Sequence, residues 1–173
     1  MANVNNPHGF RPLMRSLTGG PGASSLPAHK IVGVTAHALF VGDAVALNGS
    51  GTKAGASIKA AAASDSIYGV NLIYGAASKA TDHIIIPGIF QLFEVQIDTI
   101  AVTQLNQNAA LVATDGDATT GLSKHSLNGI NTTNTLELKL LSLYNSPDNA
   151  VGAYCRVVVT INQSSMQDQT AGV

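Results

Sequence analysis

Alternation of apolar and polar residues, the period-2 signature of a strand with one buried face, recurs along most of the chain. It is cleanest near the C terminus, where residues 153–163 place Cys155, Val157, Val159 and Ile161 on one face and Tyr154, Arg156, Thr160 and Asn162 on the other. In residues 135–145, Leu136, Leu138 and Leu140 alternate with Glu137 and Lys139, and Leu141 and Leu143 then shift toward burial on both faces. Residues 89–98 set Ile89, Phe93, Val95 and Ile97 against Glu94, Gln96 and Asp98. Residues 67–75 gather Tyr68, Val70, Leu72 and Tyr74 opposite Gly69, Asn71 and Ile73. Shorter patterns predict strands at 28–34, 43–48, 83–86 and 109–114. Residues 53–63 are alanine-rich, which favours helix by propensity, but Gly55 and the surrounding Gly and Ser residues favour a strand. Residues 99–108 read as a loop or one helical turn, and residues 115–134 as a polar loop region opened by the turn Asp115, Gly116, Asp117.

Eight or nine short strands about 10–15 residues apart, punctuated by Gly and Asn, predict one mainly β domain over residues 28–163, a jelly-roll-like sandwich or a barrel. No longer repeat points to a solenoid or propeller. Residues 164–173 read as a polar tail. The first 27 residues break the pattern, holding four of the six prolines (Pro7, Pro12, Pro21, Pro27) and glycines at 9, 19, 20 and 22. Prolines remove backbone donors and push the residue before them toward extended conformations, so this stretch predicts an extended arm with no paired strand. Phe10, Leu13, Met14, Leu17 and Leu26 nevertheless make it too apolar for a segment that stays in water.

Composition sharpens that reading. Charged residues are 11% of the chain, against roughly 25% in an ordinary soluble domain, which fits either a small, weakly charged β domain or a surface covered by other subunits, and the apolar arm favours the second. Net charge is −1, too small to attract nucleic acid or membrane. Residues 1–42 carry Arg11, Arg15 and Lys30 without an acid, so the arm suits an acidic protein surface. One cysteine, Cys155, excludes an intramolecular disulfide, and neither a signal peptide nor a membrane span is legible.

Candidate chemistry is sparse. Thr18 to Gly22 is glycine-rich but lacks the lysine and hydroxyl residue of a phosphate loop, and reads as a hinge. Asp115, Gly116, Asp117 lacks the later ligands of a calcium loop and reads as a β-turn, with weak cation binding left open. His8, His29, His37, His83 and His125 show no metal-ligand spacing, so neither a metal nor a cofactor is expected. No serine sits in a nucleophile elbow, and Cys155 lies on an apolar face where thiols are inert. A hydrolase built from Asp and His survives as an option only if His83 or His125 proves buried against a carboxylate in a cleft.

The opening Asn5, Asn6, Pro7, His8, Gly9, Phe10, Arg11, Pro12, Leu13, after Met1, Ala2, Asn3, resembles the start of the head decoration, or cement, proteins of tailed bacteriophages. The likeness extends through Tyr68, Gly69, Val70, through the Asp117 to Ser123 loop, and through Arg156, Val157, Val158, Val159, Thr160, Ile161, Asn162. It implies a non-enzymatic β domain made in the host cytoplasm and bound on the outside of the virion head. There it would bridge neighbouring major capsid proteins and stabilise the expanded shell, as a homotrimer ahead of a homodimer. The expected partner-binding residues are His8, Phe10, Arg11, Leu13, Arg15 and Leu17 of the arm. The competing expectation is a β-sandwich module that binds a receptor or a glycan.

Overall fold

The computed structural model describes residues 3–16, 28–34, 37–48, 57–89 and 91–166. Within them the regular secondary structure is almost all strand, arranged as two antiparallel sheets in a sandwich-like β domain. The first sheet runs in the order β1 (Arg11–Ser16), β7 (Gln91–Gln96), β11 (Arg156–Ile161), β10 (Leu138–Leu143), β8 (Asn108–Val112), β9 (Ser126–Asn131). The second runs β2 (His29–Val34), β6 (Ala80–Pro87), β5 (Ile67–Asn71), β3 (Ala44–Asn48), β4 (Ser57–Ala60). Both sheets curl. Leu127 of β9 bridges back to Ile97 just beyond β7, where the Asp98 N–H donates to the Leu127 carbonyl at 2.9 Å. In the second sheet the curl brings the two edge strands, β2 and β4, close to each other.

The alternation in the sequence explains the core. Phe93, Val95, Leu138, Leu140, Val157 and Val159 from the first sheet pack with Ala44, Ala46, Ile67, Val70 and Ile86 from the second. Val45, lying between Ala44 and Ala46, points the other way into a smaller cluster with Leu39, Ile58 and Ile85. Full burial of one such side chain contributes about 1.5–3 kcal/mol, so the shared core carries the fold. The irregularity between Leu140 and Ser142 in the β10–β11 ladder falls where the alternation shifts at Leu141.

The expected fold class holds, with several local corrections. The N-terminal stretch does contain a paired strand: β1 lies antiparallel on β7, with Arg11 opposite Glu94 and Pro12 opposite Phe93. Pro12 is tolerated because β1 is an edge strand, where a missing donor costs no ladder bond. Phe10 is 2% exposed and meets Phe93 edge to face at 6.2 Å, so it belongs to this chain's own core. The polar region 115–134 hides β9, whose Leu127 is fully buried. The chain leaves β5 after Asn71, because the buried Asn71 amide turns it by donating to the Phe40 and Ile73 carbonyls at 3.0 and 2.6 Å. Strand β6 is longer than residues 83–86, its ladder with β2 running from Ala80 to Ile85. Residues 99–108 hold a short 3-10 turn, Val102–Gln104, before β8. Ser164 bridges to Ile67 and is buried, so the start of the expected tail is part of the domain.

Candidate functional site

Strand β7 shows why the N-terminal segment matters. Its sequence predicts one buried face, yet Gln91, Glu94 and Gln96 are nearly as buried as Phe93 and Val95. The segment before β1 lies across that second face. Gln96 ties it down: its Oε1 accepts the Asn6 N–H at 3.1 Å, and its Nε2 donates to the Val4 carbonyl at 2.8 Å and the Tyr154 carbonyl at 3.1 Å. Asn3 extends the clamp, donating to the Ala150 and Ala153 carbonyls at 2.8 Å each and accepting the Ala150 N–H. At the other end the Phe10 N–H donates to the Gly42 carbonyl at 2.8 Å. Gly9 sits there at φ +72°, where a Cβ would lie 2.5 Å from the Gly42 carbonyl oxygen and from the Ser123 Cβ, so only glycine fits.

Between this segment and the end of the first sheet lies a cleft of about 420 Å³, whose lining includes Val4, His8, Arg11, Gln96, Tyr154 and Arg156. Its charges are partly matched. Arg156 reaches Glu94 at 3.4 Å and the exposed Asp148 at 2.6 Å, and its guanidinium lies 5.3 Å over the Tyr144 ring. The Ser146 hydroxyl, followed by weaker effects that include Arg156, holds the Asp148 carboxyl below its ordinary range. Arg11 is exposed, and among the described residues no carboxylate lies within ion-pair distance of it. His8 Nδ1 donates to the Gly9 carbonyl at 3.0 Å, which leaves Nε2 bare and 3.7 Å from Glu94. Burial, and then the nearby Arg11, push the His8 pKa below its ordinary value despite Glu94.

Of the expected partner-binding residues, His8 and Arg11 meet at this cleft. Phe10 points into the core, and the half-buried Leu13 lends its carbonyl to the Gln91 amide. Arg15 contributes backbone to β1, and Leu17 lies outside the described residues. The residues that hold the cleft together, Asn3, Gln96 and Arg156, are absent from that set. A signal for two of them exists, since Gln96 and Arg156 both sit on polar faces of strong strands, but only the β7–β11 pairing brings them together.

A second cleft, of about 510 Å³, is lined by His37, Phe40, Asp43, Ile58, Asp115 and His125 among others. Here His125 is indeed buried against a carboxylate, with Nε2 3.5 Å from Asp43 Oδ1. Its Nδ1 accepts the Ala44 N–H at 3.2 Å, so the ring proton sits on Nε2, facing the acid. Asp43 Oδ2 accepts the Phe40 N–H at 2.8 Å, and Ser123 Oγ accepts the His125 N–H at 3.0 Å. Nucleophilic catalysis needs an imidazole nitrogen aimed at the nucleophile, and both nitrogens of His125 are turned to other groups. Burial lowers the His125 pKa and raises that of Asp43, each opposed by the other's charge. The pair fastens the Phe40 to Ala44 corner to the loop before β9.

The remaining candidates resolve as local structure. Asp117 Oδ1 accepts the Thr119 N–H at 2.8 Å and its carbonyl accepts the Gly121 N–H at 2.7 Å, which makes it a turn-forming residue. Among the described residues no three His, Cys, Asp or Glu side chains are grouped to hold a metal ion. Cys155 is fully buried, and burial pushes its thiol pKa up. No protein-family model matches the chain, nor does any curated protein or any solved structure.

Proposed function

We propose that this chain is a structural virion protein, a cement protein that binds the outside of a tailed-phage head and joins neighbouring major capsid proteins. The observation that carries the reading is the surface beside the N-terminal clamp. Val4, Val151 and Tyr154 are exposed there, next to a cleft with an unmatched Arg11, in a chain with only 11% charged residues. The resemblance of the Asn5 to Leu13 stretch to phage head decoration proteins supports the same reading. The mode of binding differs from that of a reaching arm: residues 3–16 are locked to their own domain, so docking is of one rigid face. Each contact is modest, and many symmetric copies across capsomer joints add up, with a homotrimer as the unit.

The test is sedimentation of the purified full chain with expanded, DNA-free shells of the cognate major capsid protein. Co-sedimentation at a fixed copy ratio is expected, and failure to sediment with shells overturns the reading. A second reading, a receptor- or glycan-binding module, draws on the exposed rings of Tyr74 and Tyr154. It predicts ligand binding by the isolated chain without shells, which a glycan array measures.

A further inference from the structure

We propose that Val4, Val151, Tyr154 and Arg11 form the docking surface itself, and that the partner supplies a short segment carrying a carboxylate beside an apolar side chain. The proposal rests on the cement reading for the identity of the partner, a neighbouring coat protein, and on the observations below for its chemistry.

Tyr154 is the first of these observations. It holds φ +55°, in the left-handed region, where a bulky side chain is strained. The other non-glycine residues there, Ser64, Ser78 and Asn106, are small or polar. Its backbone is fixed from both sides: its N–H donates to the Asp98 carbonyl at 2.9 Å, and its carbonyl accepts from Gln96. A glycine would satisfy both bonds without strain. The chain instead keeps a tyrosine whose residue remains 38% exposed, so the strain supports a ring presented outward.

The surroundings of that ring give the partner its character. Val4 is 75% exposed and Val151 41%, and Asn3 and Gln96 pin their backbone surroundings to the Tyr154 loop, so the three exposed residues stand on one hydrogen-bonded stretch of backbone. Tyrosine and arginine are enriched among the anchors of protein interfaces, which gives Tyr154 and Arg11 the leading roles and leaves the valines to exclude water around them. Beside the platform, Arg11 presents a guanidinium with no carboxylate partner among the described residues, and Arg156 shares one edge of the cleft. A carboxylate entering the cleft meets Arg11 in the bidentate geometry that guanidinium favours. A volume of about 420 Å³ takes a few side chains of an extended segment rather than a folded element.

The experiment measures thermal stability and shell co-sedimentation on the full chain for wild type, Tyr154→Gly, Arg11→Gln and a remote control, Val102→Ser. Val102 is a 65% exposed apolar residue of the 3-10 turn. Tyr154→Gly is expected to weaken binding about tenfold while Tm holds or rises, because relief of strain accompanies loss of the anchor. Arg11→Gln is expected to weaken it several-fold and to flatten its salt dependence, and Val102→Ser to bind as wild type. Wild-type binding with no change in either variant overturns the surface and leaves the cement reading standing. Binding that falls only in step with Tm marks Tyr154 as a structural residue and overturns its role as anchor. Absence of wild-type binding to shells overturns both proposals, and glycan binding that depends on Tyr154 replaces the partner class.

Discussion

Two histidine–carboxylate pairs flank the Gly9 and Phe10 clamp, and they are built in opposite ways. His125 faces Asp43 with its ring proton pointing at the acid, because Nδ1 is occupied by the Ala44 N–H. His8 faces Glu94 with a bare Nε2, because its proton is spent on the Gly9 carbonyl. The first pair is nearly sealed, its side chains 3% and 2% exposed, with Asp43 Oδ1 3.5 Å from the His125 Nε2 and in no hydrogen bond of its own. The second leaves a buried His8 Nε2 without a hydrogen-bond partner at the edge of the cleft. The lesson is that the backbone group on the other ring nitrogen sets the tautomer, and so decides whether the imidazole turns its proton or its bare nitrogen to the acid.

The largest expected effect concerns the anchor between the two pairs. Phe10→Ala should cost about 3–5 kcal/mol in urea unfolding, whereas a free arm would lose almost nothing. Asp43→Asn comes next. An amide in that site must aim its N–H₂ either at the His125 Nε2–H or at the Phe40 N–H, leaving one buried donor unpaired at a cost of about 1–3 kcal/mol.

Acidification distinguishes the pairs again. Burial holds His8, His83 and His125 below their ordinary pKa of 6.5, so the unfolded chain takes up protons first as pH falls. Stability is therefore full above about pH 6.5 and declines below it. Asp43, raised above 3.8, opposes this trend only at more acid pH. Urea midpoints across pH 5–8 should show the loss, and His125→Gln should flatten it more than His8→Gln, because His125 is the more deeply buried. The smallest expected effect is Glu94→Gln. Its amide oxygen can still accept from Arg156 at the position of Oε1, and Arg156 keeps Asp148, so stability should stay within about 1 kcal/mol of wild type. A cost equal to that of Asp43→Asn would break the contrast between the pairs.

Much of the fold is legible in the sequence, for a physical reason. Period-2 alternation reports one-sided burial, and it locates β7, β10 and β11, whose Val95, Leu138 and Val157 fill the core. It fails where burial is two-sided or polar. Glu94 and Gln96 read as solvated, but the N-terminal segment covers them, and no local pattern reveals a cover supplied by residues about 90 positions away. Strand β9 is hidden because Asn128, Gly129 and Asn131 around Leu127 read as loop. The prolines of the first 27 residues argue too strongly against pairing, since an edge strand tolerates Pro12. The Asn5 to Leu13 stretch stands out in the sequence as it does in the structure, but its most apolar residue, Phe10, serves the domain's own core, and only His8 and Arg11 of the expected set reach the cleft.

Native-state hydrogen exchange at the Phe10 amide tests most directly whether the N-terminal stretch is part of the fold. Its N–H donates to the Gly42 carbonyl at 2.8 Å, so its protection should match that of β11 amides and approach the global unfolding free energy. Exchange at the rate of an unstructured peptide, with β11 still protected, would mean that the segment is a free arm and would contradict the account.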